Sequence, residues 1–471
     1  MKKIVTILGM VLILLVVAAG AAPFWFGMQA ENAYNSIVEQ MAKNGSTTVR
    51  TKHYERGWLR STAETVVTLP GLPVDVSLTH DIAHGPLALD RLMQGQLELT
   101  PAVAFVSSRA TLAPRKGAET LKDLIKQLPP ATADTVLALS GNAEMQINVP
   151  PSRRKSKDGG AINWRGLSGT IVFRERGEQV IAELQSPGLS FPSKNGEFSL
   201  SQVKFRSDAT GGKAGFMFGN SALHVANIGI GPDVTVKGLR FTTNAKPVGP
   251  NVNTTVSYQV KDVQVGANHY GPGQLTIVLR KLDAAALRKY ETAINTISKR
   301  GLPDEQRSMM VAAETMKLIA NLSKKAPELE ITKLSFKSRE GELTGEAKFI
   351  LDGSNLNVAE NTMLLLRALQ GEAKLSIPPS MVKAILTPRI RQDIEIYKRR
   401  GMLSQKDMTR LTPEVMSSIV DEAYPSYLNK NGFTKLLIPD GPYYRISVSF
   451  RQGRFLVNDR PLKQPLLGLG A

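Results

Sequence analysis

The chain has no cysteine, which removes structural disulfides, thiolate metal sites and cysteine nucleophiles together and leaves the redox compartment open. Histidine is scarce as well. Of the five, only His80 and His84 have the i, i+4 spacing of a helical metal pair, and they straddle a strand end and an H-G-P turn. The sequence contains no G-x-S-x-G elbow, no Walker loop, no H-E-x-x-H and no dinucleotide fingerprint. A Ser152-x-x-Lys155 match to a Ser-Lys hydrolase pattern falls in a basic loop where no helix N-terminus is expected. Aromatic residues make up 6% of the chain, too few for a base-stacking platform, and no nucleic-acid motif is present. The expectation is no cofactor, no metal and no nucleic acid.

The chain is long, with 471 residues, and basic, with 59 Lys+Arg against 41 Asp+Glu for a net charge of +18. A charge of that size draws a protein toward anionic surfaces, and acidic lipid headgroups become the better candidate once the N-terminus is read. Lys2 and Lys3 are followed by an uncharged run from Ile4 to Gly27, long enough to cross a hydrocarbon core of about 30 Å as a helix. Phe24, Trp25 and Phe26 fall where an interfacial aromatic belt lies, and the lysines predict a cytoplasmic N-terminus. Residues 1–27 are therefore expected to be a cytoplasmic tip and transmembrane signal-anchor. The competing reading is a cleaved signal peptide, since Ala19-Gly20-Ala21 resembles an A-x-A site; cleavage would leave the aromatic cluster without a purpose.

Residues 28–45 read as a juxtamembrane helix, with Ala30, Ala33, Ile37, Val38 and Met41 forming a stripe and Asn44-Gly45 ending it. Beyond it the pattern changes to period two. Strand-like runs such as TAETVVTL, VDVSLTHDI, GTIVFRE, GEFSLSQVKFRS and GQLTIVLRKL follow one another between Gly, Pro, Asn and Ser. Alternation of this kind gives each strand one apolar and one polar face. The fold class expected is α+β, mainly β: an extended curved antiparallel sheet with helical insertions in the C-terminal half, preceded by one transmembrane helix. The body, 46–471, divides into a strand array at 46–282 and mixed helices and strands at 283–471. Asp283 is read as an N-cap, a further helix carries Met309, Ala313, Met316 and Ala320 on one stripe, and others begin near Pro379 and at Pro413 with Thr412 as cap. The hairpin YYRISVSFRQGRFLVN closes the chain.

Two basic zones are read as solvated surface. One is Arg153-Arg154-Lys155-Ser156-Lys157; the other spans 383–410, where Lys383, Arg389, Arg391, Lys398, Arg399, Arg400, Lys406 and Arg410 outnumber Asp393, Glu395 and Asp407.

HYERGWLRSTAE, residues 53–64, is the densest set of reactive side chains in the chain. It is read as the junction where the membrane-leaving helix gives way to the first strand, with Gly57 supplying backbone freedom. Tyr54-x-Arg56-Gly57-x-x-x-Ser61, followed by His84-Gly85-Pro86, resembles the paired motifs of the YdgA/YihF family of enterobacterial envelope proteins. Gly273-Gln274-Leu275-Thr276 with Leu282-Asp283, Lys374-Leu375-Ser376-Ile377-Pro378, and Gln452-Gly453-Arg454-Phe455-Leu456-Val457-Asn458 resemble later motifs of that family in the same order. In the last of these, Asn458-Asp459 stands where Asn-Gly is expected. The resemblance implies a single-pass bacterial inner-membrane protein with a periplasmic body and no established catalytic residues; the function of the family is unknown.

The leading expectation is a non-enzymatic envelope protein that handles an apolar, lipid-like molecule along its sheet or acts as a scaffold. Its partners would be the inner membrane, an anionic lipid or lipid-like ligand, a second copy or another envelope protein. The alternative is an envelope-polymer-directed enzyme with Arg56 and His84 at its site.

Overall fold

The structure, a computed structural model, describes residues 22–39, 48–68, 73–87, 95, 100–115, 129–155, 161–193, 196–211, 216–300, 302–356, 364–399, 413–430, 433–451 and 453–461. The chain is mainly β and its strands pair antiparallel. It divides into two units, Met1–Gly231 with Arg288–Glu314, and Pro232–Leu287 with Thr315–Ala471.

Among the described residues, unit 1 opens with helix α1, residues 22–39. The strands that follow are β1 (Thr48–Arg56), β2 (Arg60–Thr68), β3 (Val74–His84), β4 (Ala102–Pro114), β5 (Ala131–Ala138) and β6 (Ala143–Val149). A short hairpin, β7 (Ser152–Lys155) and β8 (Ala161–Trp164), interrupts the series before β9 (Leu167–Arg174), β10 (Gln179–Ser193), β11 (Gly196–Gly211) and β12 (Met217–Ile230). Omitting the hairpin, each strand pairs with the next, so β1 to β6 and β9 to β12 form one meander.

Residues 48–56 are thus already a strand. The sequence reading placed the first strand after HYERGW; instead RGWLR is the β1–β2 turn, with the Gly57 N–H donating to the Arg60 carbonyl at 2.9 Å. The strand is hard to see because it lies at the sheet margin, pairing with β2, and exposes charge on both faces. Arg153 and Arg154 lie exposed on β7 rather than in a loop.

Register decides what each face of the meander carries. Leu184 pairs with Phe205 and Phe205 with Leu223; on the other side Leu184 pairs with Gly169, which pairs with Ile147. The neighbouring rung runs Met145, Ile171, Ala182, Ser207. The intervening residues, Glu144, Gln146, Glu183, Gln185, Lys204, Arg206 and Asp208, are exposed on the opposite face.

Unit 2 repeats the principle. β13 (Val234–Val248) pairs with β14 (Asn251–Val260) along one half and β15 (Asp262–Val265) along the other, and both pair with β16 (Asn268–Asp283). β17 (Glu328–Ser338), β18 (Gly341–Leu351) and β19 (Leu369–Ile377) continue the order, followed in space by β21 (Tyr443–Arg451). β20 (Ile438–Asp440) and β22 (Arg454–Val457) pair with the far side of β21, and β23 (Arg460–Pro461) pairs with β22. One rung reads Val256, Ile277, Ile331, Ala347, Ala373, Val448, Val457 across seven strands. The rung beside it on the opposite face reads Glu330, Lys348, Glu372, with charges alternating as cross-strand pairing favours.

The helices follow the sequence signals closely. Asp283 caps α2 (Ala284–Lys299), its Oδ1 accepting from the Ala286 N–H at 2.7 Å. α3 (Asp304–Ser323) buries Ala320 and Ser323 but leaves Met309 and Met316 exposed, so the methionine stripe is not its packed face. The one-turn helix α4 (Leu365–Ala368) precedes β19. Near the end of the chain come α5 (Pro379–Arg399), α6 (Pro413–Lys430) and α7 (Phe433–Leu436). α5 and α6 cover one end of unit 2's apolar face: Met381, Val382 and Leu428 join Ile377 and Leu437 in its core, with Leu343, Tyr444 and Ile446 of the sheet against them. Lys383 of the basic zone pairs with Asp421 between these helices at 2.8 Å, while residues 400–412 lie outside the described residues. The closing hairpin forms as expected. Asn458 and Asp459 both adopt positive φ (49° and 63°), and the Asn458 side chain accepts from Ser447 N–H and donates to the Leu436 carbonyl, both at 2.8 Å.

Candidate functional site

The motif residues converge on α1. Ala30 and Tyr34 pack on Ala63, Ile82 and Ala104, so α1 lies over the apolar face at the β1–β4 end of unit 1. His84 is 1% exposed. Its Nδ1 is 3.0 Å from the Trp58 carbonyl, which can only accept, so Nδ1 carries the proton and Nε2 accepts from the Ser61 hydroxyl at 2.8 Å. Against the ring lies Gly27 of α1: a Cβ there would stand 2.5 Å from Cε1 and 2.7 Å from Nδ1. The helix can approach only because this position has no side chain.

Arg56 does not meet His84. It pairs with Glu31 of α1 at 2.7 Å and sets its guanidinium 5.2 Å from the centre of the Phe24 ring. Phe24 packs in turn on Trp58, and Trp25 packs edge-on against Phe26. Tyr34 packs at a tilt against Tyr54, ring centres 5.1 Å apart, and hydrogen-bonds Thr65 at 2.7 Å; Thr65 bonds His80, whose other nitrogen bonds Ser108. Burial pushes the His80 imidazole below its ordinary value. Burial likewise raises the Tyr54 phenol, against the pull of neighbouring Ser61, and its hydroxyl makes no hydrogen bond of ordinary geometry. Gly85 is required by close approach, since a Cβ there would lie 1.8 Å from the Ala102 carbonyl oxygen, and the Pro86 carbonyl accepts from Ala102.

Ser61 and His84 have nucleophile–base spacing, but Ser61 is also 1% exposed and the third group is a backbone carbonyl. The cluster is a clasp that seats a helix. Gly27, Glu31, Tyr34 and Trp58 complete it; Trp58 lies in the HYERGWLRSTAE stretch, and a lone glycine inside a helical run is the available signal for Gly27. Lys2 and Lys3 lie outside the described residues. Among the described residues no helix is long and apolar enough to cross a membrane, and no group of acidic and imidazole side chains has the makings of a metal site.

Away from the clasp the apolar faces stay partly open. In unit 1, Met145, Ile147, Ile171, Phe173, Leu184, Val203, Phe205 and Leu223 are only half-buried. In unit 2, the end of the apolar face away from α5 holds a cavity of about 460 Å³ lined by Leu279, Leu282, Pro327, Glu328, Leu329, Phe349, Leu351 and Leu369. A volume of that size suits a small ligand.

These features define a class: antiparallel sheets with helix packed on one end of an apolar face and half-buried apolar side chains along its remainder; at β3–β5 the opposite face is buried as well, around Ala83 and Phe105. The chain belongs to a family of bacterial proteins of unknown function (DUF945), whose model matches residues 1–465. Neither the curated proteins nor the solved structures contain a significant match to it.

Proposed function

We propose that this protein is non-enzymatic, is membrane-anchored and periplasmic as its likeness to the YdgA/YihF envelope proteins suggests, and holds lipid chains on the apolar face of its sheet. The observation that carries the reading is the register of unit 1: Ile147, Leu184, Phe205 and Leu223 share one face from β6 to β12 and remain half-buried. Five strands, β6 and β9 to β12, spaced roughly 4.8 Å apart, span about 19 Å. That exceeds the roughly 15 Å half-thickness of a bilayer's hydrocarbon core, so an acyl chain from one leaflet fits across it.

Location follows from the N-terminal run and its lysines. Phe24 and Trp25, together with Trp58 of the β1–β2 turn, are exposed large hydrophobics at the point where that run ends. They suit an interfacial belt, with Trp58 added to it by the fold. The clasp then holds the open face at a fixed position next to the bilayer. An enzyme acting through Arg56 and His84 is disfavoured because His84 is sealed beneath α1 and Arg56 is paired with Glu31.

The test is photocrosslinking. A benzophenone side chain in place of Phe205, in full-length protein reconstituted into phospholipid vesicles, is expected to yield phospholipid adducts by mass spectrometry. The same group in place of Arg206, on the polar face, is expected to yield few. Equal yields at the two positions would overturn the reading.

A further inference from the structure

The cavity of unit 2 is made by a β-bulge. Val252 of β14 pairs with Leu282 of β16, and Thr254 pairs with Leu279, so Arg280 and Lys281 together stand opposite Asn253. Lys281 adopts a positive φ of 58°, a conformation a non-glycine residue takes only when its surroundings enforce it, and its N–H donates to Asn253 Oδ1 at 2.9 Å. The bulge re-aims the strand. Leu279 and Leu282, three apart, therefore both line the cavity, and the two cations between them stand at its rim.

Those cations are already engaged. Lys281 pairs with Glu328 at 2.6 Å; Arg280 lies 3.9 Å from Glu328 and forms a closer pair with Glu330. The Lys281 side chain is 52% exposed and that of Glu328 only 15%. Lys281 holds Glu328 below the usual carboxylate range. The mouth of an apolar cavity thus carries both signs of charge in matched pairs.

We propose that this cavity takes one acyl chain of a phospholipid whose head group is zwitterionic, phosphate against Lys281 and ammonium against Glu328. The charge pattern selects that head group. An anionic head would draw Lys281 away and leave a mostly buried carboxylate with only the longer contact to Arg280; a cationic head would strand Lys281. A head carrying both charges enters between the partners and leaves neither alone. The chain part has apolar company in Leu279, Leu329, Phe349 and Leu351, of which Leu329 is 38% exposed although apolar.

This inference rests on the lipid-holding reading above, and the two can fail separately. Full-length protein with benzophenone in place of Leu329 is reconstituted in vesicles of equal parts phosphatidylethanolamine and phosphatidylglycerol, and the adducts are identified by mass. The expected result is an excess of phosphatidylethanolamine adduct of at least about threefold, equivalent to roughly 0.6 kcal/mol. Lys281→Asn, which keeps a residue tolerant of positive φ, is expected to bring the ratio toward unity. Leu351→Trp, which fills the cavity, is expected to lower both adducts about tenfold, with the circular dichroism melt confirming the fold. If position 205 yields adducts and position 329 does not, or if the ratio ignores Lys281→Asn, the cavity inference is wrong and the general reading stands. If neither position yields adducts, both are wrong.

Discussion

Replacing Gly27 by alanine sets two physical effects against each other with opposite signs. Helix propensity alone favours alanine over glycine in a helix interior by about 1 kcal/mol. The clasp opposes it. A methyl at position 27 lies 2.5 Å from His84 Cε1, 2.7 Å from Nδ1 and 3.0 Å from Nε2, so the ring must move by about an ångström, a typical overpacking penalty of about 1–3 kcal/mol. Movement of that size breaks the 2.8 Å bond to Ser61 and the 3.0 Å bond to the Trp58 carbonyl. Leaving those buried partners unsatisfied costs about 1–3 kcal/mol each. Gly27→Ala is therefore expected to destabilise unit 1 by at least about 2 kcal/mol net, the low end of these ranges summed, or about 4–8 °C in a unit of this size. Tryptophan fluorescence during heating reports it, because Trp58 packs on Phe24 of the same helix.

The decisive comparison is a double-mutant cycle. His84→Ala vacates the space the new methyl needs, so Gly27→Ala in that background should be neutral or stabilising, giving a coupling of about 3 kcal/mol between residues 57 positions apart. If Gly27→Ala raises the melting temperature of the wild-type chain, or the two substitutions add within about 0.5 kcal/mol, the clasp as described does not exist.

Three further outcomes follow from the same geometry. His80 is held neutral by burial, so the unfolded chain binds a proton that the folded one resists. Stability is then full above the unfolded value of 6.5 and falls as pH drops through it toward the lower folded value. Melting between pH 7.5 and 5 should show this fall, and His80→Gln should flatten it. Arg56→Ala removes a half-exposed ion pair and a cation–aromatic contact, with an expected loss of about 1 kcal/mol in the same melt, part of it abolished by high salt. Asn458→Ala removes two hydrogen bonds and puts alanine at φ 49°; a loss of about 2 kcal/mol is expected, read as faster hydrogen exchange in β21 and β22.

Strands whose two faces differ were visible from composition alone. QVKFRSDA alternates along its length, and its odd-numbered residues Val203, Phe205, Ser207 and Ala209 are the half-buried ones. Asp283, Pro379 and Pro413 marked helix starts because capping and N1 proline are local chemistry. Edge strands fared worse. Among the described residues Thr48–Arg56 pairs with β2 alone and carries charge on both faces, and alternation vanishes there. β5 and β6 carry Ala, Thr and Asn where bulk would have announced a strand.

The sequence by itself determined a β-rich body with one apolar face per strand, an uncharged N-terminal run, and a dense motif around Tyr54, Arg56, Ser61 and His84. It did so because periodicity, hydropathy and capping act over a few residues. Which strand rests on which, and therefore that the apolar faces join across many strands, was decided by register. The roles of Gly27, Glu31 and Lys281 were decided by tertiary contact: a missing side chain that lets a helix reach an imidazole, a carboxylate waiting for an arginine, and one extra residue in a strand that opens a cavity. Each depends on a partner far along the chain, and no local pattern encodes it.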